Sequence, residues 1–265
     1  MTDQKINLVI PKMPNINELF AAGAHFGHPK QKHHPKSKPF IFNSYKGINI
    51  INLEKTISYL EKALEYIANE VKNGRSFLLV GTKHQISPLL GDVAKSLEIP
   101  YINHKWLGGT LTNFETIKKN ITRLIEMEKE KMSDEFQQYA KKEKSMFEKD
   151  LVKLKKNFDG LRNVTKLPDN LFVVDAWEEA TAISEARSLG IPVVAITDTN
   201  FNPEEIDYPI PANDDVAPSV SLVLNLVKET IEKNLNQVKN LVVKPADKTA
   251  EKFADKNDKK NDKKN

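Results

Sequence analysis

The sequence predicts an α/β fold: a three-layer α/β/α core, flavodoxin-like or Rossmann-like, built on a mainly parallel sheet and carrying a protruding antiparallel coiled-coil hairpin. Three observations carry this. Residues 77–100, "FLLVGTKHQISPLLGDVAKSLEIP", and residues 172–192, "FVVDAWEEATAISEARSLGIP", echo each other as strand, turn, amphipathic helix and a "SLxIP" that opens another strand. The runs 77–80, 172–174 and 191–196 are continuously apolar and rich in β-branched or aromatic residues, the pattern of strands buried on both faces of a parallel sheet. Residues 113–160 then interrupt the series with nearly fifty charged, helix-forming residues.

Each element follows from its residues. A helix is expected over about 15–24, before the stretch "HFGHPKQKHHPKSKPF" (25–40). "FIF" and "INIINL" read as a short strand pair. A long helix over 53–71 keeps Leu53, Ile57, Leu60, Leu64 and Ile67 on one side. In the first repeated unit Ile86, Leu89, Leu90, Val93 and Leu97 form a helical stripe. In the second, Trp177, Ala180, Ile183, Ala186 and Leu189 do so, with Gly190 placed to end the helix in the left-handed region. The last helix, about 217–240, carries Val220, Leu224, Val227 and Ile231.

In the insertion, Ile117, Ile121 and Leu124 are spaced 4 and 3, and Phe147, Leu151, Leu154, Phe158 and Leu161 continue at 4, 3, 4, 3. This is a heptad seam in two segments, broken near Met132, Ser133 and Asp134. Thr112 and Glu115 have capping-box spacing. Arms of about 20 residues reach roughly 30 Å, long enough to touch a partner. The organisation is therefore a core over 1–112 and 161–243, an inserted hairpin over 113–160, and a Lys/Asn/Asp-rich tail, 244–265, with too little apolar surface to order itself.

The chain has 265 residues, 39% of them hydrophobic and 29% charged, ordinary for a soluble globular protein. Cysteine is absent, which excludes disulfides, thiolate nucleophiles and cysteine zinc sites. The N-terminus lacks a signal-peptide pattern, and no apolar run approaches the roughly 18 residues a membrane span needs; the expectation is a cytoplasmic protein with no membrane partner. The formal charge of +4 hides a division: residues 1–112 carry net +6, 113–160 +2, 161–243 −7 and 244–265 +3. Such asymmetry points to a polyanion on one side of the molecule.

Enzyme chemistry finds few footholds. No GxGxxG follows the first buried strand, and GxxxxGK[ST] and GxSxG are absent. "VGTKH" puts a Gly turn and Lys83 at a strand's C-terminal end, where open sheets bind ligands, but a bare Gly-Thr-Lys has little specificity. Asp175 and Asp198 also end buried strands, as in metal-dependent phosphate enzymes. Both have local roles: Asp175 with Glu178 has N-cap spacing, and Asp198 opens "DTNFNPEE", where Asn202 can cap and Pro203 take the first helical position. No cofactor is implied.

The stretch 25–40 holds four of the six histidines, four lysines, three prolines and no acid. His25, His28, His33 and His34 could cage a metal, yet zinc wants neutral convergent imidazoles, while the local field is positive and the prolines favour an extended backbone. A polyanion reading uses every feature: Lys30, Lys32, Lys36 and Lys38 neutralise phosphates, the imidazoles contact sugar or base, and the prolines reduce the entropy lost on docking. "NHKWLGGTLTN" is a second basic spot, where Trp106 is either a core plug or a stacking surface. The candidate RNA contacts are His25, His28, Lys30, Lys32, His33, His34, Lys36, Lys38, Lys46, Lys83, Lys105, Trp106, Asn113 and Lys118.

"AGAHFGH", "FIF", "GINIINLEKT", "VGTK", "WLGGTLTNFETI", "LPD", "DTN" and "YPIPANDD" occur in the order and spacing of the bacterial ribosomal protein S2 family, which the chain resembles from about residue 15 to about 232. The resemblance implies the α/β/α core with a protruding hairpin and a non-catalytic role. That role is binding small-subunit ribosomal RNA beside other small-subunit proteins and, in many bacteria, anchoring the large mRNA-binding ribosomal protein. His34-Pro35 stands where the family usually has Asn-Pro, Tyr45 where arginine is common, and Lys105 where arginine is usual. Lysine keeps the charge but loses the bidentate fork. Two other readings are a metal- or phosphate-dependent enzyme using Asp175 and Asp198 or the histidines, and a free RNA-binding regulator.

Overall fold

A computed structural model describes residues 8–242; the tail expected to lack order, 244–265, lies outside the described residues. The chain begins with α1 (Ile16–Ala21), β1 (Phe26–Pro29), β2 (Ile41–Tyr45), β3 (Ile48–Ile51) and α2 (Leu53–Lys72). Then come β4 (Phe77–Val80), α3 (Ser87–Ser96) and β5 (Tyr101–Ile102), followed by α4 (Phe114–Lys131), α5 (Asp134–Gln137) and α6 (Lys141–Phe158). It closes with β6 (Asn170–Val174), α7 (Ala180–Ser188), β7 (Val193–Thr197), β8 (Tyr208–Pro211) and α8 (Ala217–Val242).

The main sheet is five-stranded and parallel, in the order β5-β4-β6-β7-β8. Its strands are buried on both faces, and successive side chains enter different cores. Phe77, Leu79, Phe172, Val174, Val194 and Ile196 pack with α2, α3 and α8. Leu78, Val80, Leu171, Val173, Val193 and Ala195 pack with α4, α6 and α7. This alternation is the period of two that a doubly covered sheet imposes. Each such side chain stabilises the fold by roughly 1.5–3 kcal/mol. Pro209 and Pro211 are tolerated because β8 is an edge strand.

Local chemistry sets the boundaries. Asn15 and Glu18 form a capping box on α1, and Gly23, at φ +76°, turns the chain away after it, so this helix ends earlier than expected. Asn52 caps α2 by accepting from Glu54 N and Lys55 N. The predicted cap at Thr112 is not formed: α4 starts at Phe114 with Asn113 before it, and the Thr112 hydroxyl is turned to Glu185. The second unit's stripe is shorter than expected. Trp177 is 61% exposed because residues 176–179 form turns and α7 begins only at Ala180, and Leu189, 43% exposed, follows the end of α7 at Ser188.

The strand pair predicted from "FIF" and "INIINL" is present as β2 and β3, joined by β1 into an antiparallel side sheet of order β1-β3-β2. In the insertion, α4 and α6 pack along each other. Ile117, Ile121, Leu124, Leu151 and Phe158 are buried in the same core as the sheet's lower face. Phe136, Tyr139 and Phe147 cluster where the chain reverses.

Candidate nucleic-acid interface

The basic stretch is not an extended strap. It folds into β1 and two short 3-10 turns, 30–32 and 35–40, seated on the loop after β7. His28 N donates to Thr199 Oγ1 at 3.0 Å, His34 N to Thr199 O at 2.7 Å, and the Ser37 hydroxyl to Phe201 O at 2.7 Å. Gly27 permits this seat, since a Cβ there would lie 2.9 Å from Thr199 Cγ2 and 3.0 Å from Asp198 Oδ1. The prolines thus terminate and start tight turns instead of stiffening an open arm.

The four histidines of the stretch do not converge. His25 is buried between Phe20 and Phe26, stacked on Phe20 at 4.1 Å, and burial lowers its pKa. His33 Nδ1 meets Lys30 O at 2.6 Å, and His34 Nδ1 accepts from Lys36 N at 3.2 Å as the cap of the second turn. His28 alone points to the strand ends, with Nδ1 2.8 Å from Asp198 Oδ2. That hydrogen bond raises its pKa, partly opposed by burial. The histidine cage is thereby ruled out; His28, Asp198 and Asp215 do offer ligand atoms within 4.8 Å of one another.

The C-terminal end of the sheet holds a charge cluster in which Asp175, Asp198, Asp214 and Asp215 outnumber the cations Lys83 and His28. Lys83 Nζ lies 2.8 Å from Asp175, 2.5 Å from Asp215 and 3.6 Å from Asp214. Burial works against this ammonium, but its hydrogen bonds to Asp175 and Asp215 prevail and raise its pKa above the ordinary lysine value. Asp214 is fully buried, and neither carboxylate oxygen has a hydrogen-bond partner. Burial, followed by the negative charges of Asp175 and Asp198, pushes it well above the usual carboxylate range. Asp175 adopts φ +70° and accepts from Glu178 N at 3.0 Å, but this bond closes the turn 176–179; α7 starts at Ala180 with Glu179 before it and no side-chain cap, so the expected helix N-cap is not formed. Asn202 caps the turn at Pro203.

The second basic spot is organised by a residue the sequence did not single out. Glu185 of α7 is buried beneath the loop 106–112. It accepts from Trp106 Nε1 (3.0 Å), Gly109 N (2.8 Å), Leu111 N (2.9 Å), Thr112 N (3.2 Å) and the Thr112 hydroxyl (3.2 Å). Burial alone would raise its pKa; these five donors outweigh it and lower it. Trp106 is accordingly a core plug and offers no stacking face.

The other candidate contacts divide by pairing. Lys36 is engaged with Glu204 at 2.8 Å, and Lys118 with Glu115 at 3.2 Å. Lys30, Lys32, Lys38, Lys46 and Lys105 are exposed and have no carboxylate within ion-pair distance among the described residues; Lys46 lies over the Tyr45 ring at 5.3 Å. Asn113 precedes α4 and accepts from the Thr116 hydroxyl at 2.9 Å.

A parallel sheet covered by helices on both faces, with exposed lysines that have no carboxylate within ion-pair distance among the described residues, defines a three-layer protein of the α/β class. The family model described as "Ribosomal protein S2" matches residues 19–260. Curated relatives named small ribosomal subunit protein uS2 are similar across most of the chain. The protein from Acidothermus cellulolyticus is 45% identical over 81% of this chain and 78% of its own length. Those from Dehalococcoides mccartyi and Dictyoglomus thermophilum are 42% and 44% identical over 82% and 81% of this chain, and over 88% and 87% of their own lengths. The chain belongs to the ribosomal protein S2 family. An aspartate-based enzyme finds no support in that family, nor in Asp175 and Asp198, which are taken up by Lys83 and His28.

Proposed function

We propose that the chain acts in the cytoplasm as a structural protein of the small ribosomal subunit, holding small-subunit ribosomal RNA by phosphate neutralisation and shape fit. The observation that carries this is a set of exposed lysines with no carboxylate within ion-pair distance among the described residues: Lys30, Lys32, Lys38, Lys46 and Lys105. Lys83 and Lys36, although basic in sequence, are internally matched and contribute less. The hairpin of α4 and α6 serves as a contact arm whose base is fixed by the core.

A protein partner has its own support. Phe20, Phe26, Phe42, Tyr45 and Ile48 are exposed on the side sheet and α1, beside a groove of about 300 Å³. Aromatic side chains exposed together mark protein–protein contacts, and the large mRNA-binding ribosomal protein is the partner we assign there. Gradient fractionation of a lysate tests both assignments. The chain is expected to travel with small-subunit RNA, and Phe42→Asp is expected to release the protein partner while the chain itself stays bound. A chain that remains at the top of the gradient, free of RNA, would overturn the ribosomal reading.

A further inference from the structure

We propose that an apolar cavity at the root of the hairpin is a binding site for a small neutral aromatic molecule of about the size of benzene. The inference stands apart from the ribosomal reading, since it rests on no RNA contact and on no protein partner.

The cavity measures about 140 Å³ and lies beneath the loop that follows α6. Its wall is made by Leu78 of β4, by Leu111, Phe114 and Ile117 around the start of α4, and by Leu161 and Val164 beyond α6. Leu78, Leu111, Ile117 and Leu161 are buried in one core, with Phe114 and Val164 packed against it. The entry to the hairpin and the exit from it therefore meet the sheet around a single hole.

The sequence explains why the hole is left. Between Leu161 and Pro168 the chain gives this core one apolar side chain, Val164, while Asn163, Thr165, Lys166 and Leu167 are exposed. Arg162 is drawn away to Glu128 by paired bonds of 2.5 and 2.7 Å. Nor can the loop sink to close the space. At one end Gly160 already lies so close to β5 that a Cβ would overlap Tyr101 O. At the other, Asp169 accepts from Ser76 N at 2.9 Å and from the Ser76 hydroxyl at 2.7 Å. A cavity whose walls cannot relax keeps its cost, because the wall atoms lack contact partners across the gap.

The chemistry of the wall selects the guest. The polar groups at the rim are spent within the protein: Ser76 on Asp169, the Thr110 hydroxyl on Leu107 O at 2.5 Å, and Lys166 on Asp169 at 3.4 Å. A water inside would need about 2–4 hydrogen-bond partners, whereas a dry aliphatic and aromatic cavity of about 150 Å³ takes benzene. A charged or strongly polar ligand would lose its hydration for nothing in return. Phe114 gives an aromatic guest a ring to pack against.

Thermal melts of the full-length chain in sealed cuvettes, with and without benzene, test the site. At free benzene about five times its Kd, the melting temperature is expected to rise by about 3 °C. Pyridine, a ring of the same size that carries a hydrogen-bond acceptor, is expected to give no such rise. Val164→Phe is expected to fill the hole and abolish the effect of benzene. Methyl NMR of the wild-type chain locates the guest, and it keeps the test decisive if Val164→Phe does not fold: benzene is expected to move the signals of Ile117, Leu161 and Val164. The site is overturned by the absence of a rise in wild type, by an equal rise with pyridine, by a rise that survives in folded Val164→Phe, or by methyl shifts confined to residues outside the cavity.

Discussion

The end of the parallel sheet and the base of the hairpin are both rich in charge, yet they handle it in opposite ways. At the sheet end, Lys83 and His28 are enclosed by Asp175, Asp198, Asp214 and Asp215, so the cations serve the protein's own carboxylates. At the hairpin base the buried carboxylate of Glu185 is satisfied by backbone and indole N–H groups, and Lys105 outside it has no carboxylate within ion-pair distance among the described residues. The lesson is that a lysine's availability to a phosphate depends on what faces it in the fold. A count of basic residues treats Lys83 and Lys105 alike; their surroundings do not.

The comparison is broken most severely at Glu185. Glu185→Ala strands the Trp106 indole and three backbone N–H groups in a buried site, and should destabilise the fold by about 3 kcal/mol in urea denaturation. Lys83→Met comes next: it leaves three carboxylates facing one another and should cost about 2 kcal/mol, discounted for the part of Lys83 that meets solvent. Its RNA salt slope should nevertheless match wild type. A flattened slope in Lys83→Met would show the sheet end to be an RNA surface after all.

A smaller effect follows from His28. Its folded pKa is raised by the bond to Asp198, so the contribution of this pair is complete below about 6.5, the unfolded value, and fades as pH rises through the folded value. His28→Gln should remove that loss, so the variant's melting temperature should depend less on pH between about 6 and 8. Thermal melts across this range check the sign. The smallest change is expected for Lys36→Ala. Its pair with Glu204 is exposed and worth no more than about 0.5 kcal/mol, and its RNA slope should fall less than that of Lys38→Ala.

Much of the fold was legible in the residues. The runs at 77–80, 172–174 and 191–196 announced strands covered on both faces, because they are short, continuously apolar and rich in β-branched or aromatic residues. Heptad spacing likewise placed the break between α4 and α6 near Met132. What could not be read were contacts between distant residues. Trp177 fits a helical stripe by spacing, but the turn at Asp175 delays α7 and leaves the ring exposed. The histidine-rich stretch looked like one site. Its four rings have four separate surroundings, fixed by Phe20, Asp198, Lys30 and Lys36. Glu185 gave no local signal, since its partners lie more than 70 positions earlier in the chain.

The seating of residues 28–37 on Thr199 and Phe201 also sets an order of events in synthesis. His34 leaves the peptidyl-transferase centre long before Thr199, and Val9 waits still longer for Asn234, 225 residues downstream, whose side chain accepts its N–H at 3.2 Å. At roughly 5–20 residues per second this is a delay on the order of tens of seconds. Throughout it, the N-terminal segment has neither its seat nor its partner helix. The segment made early is thus among the last to settle.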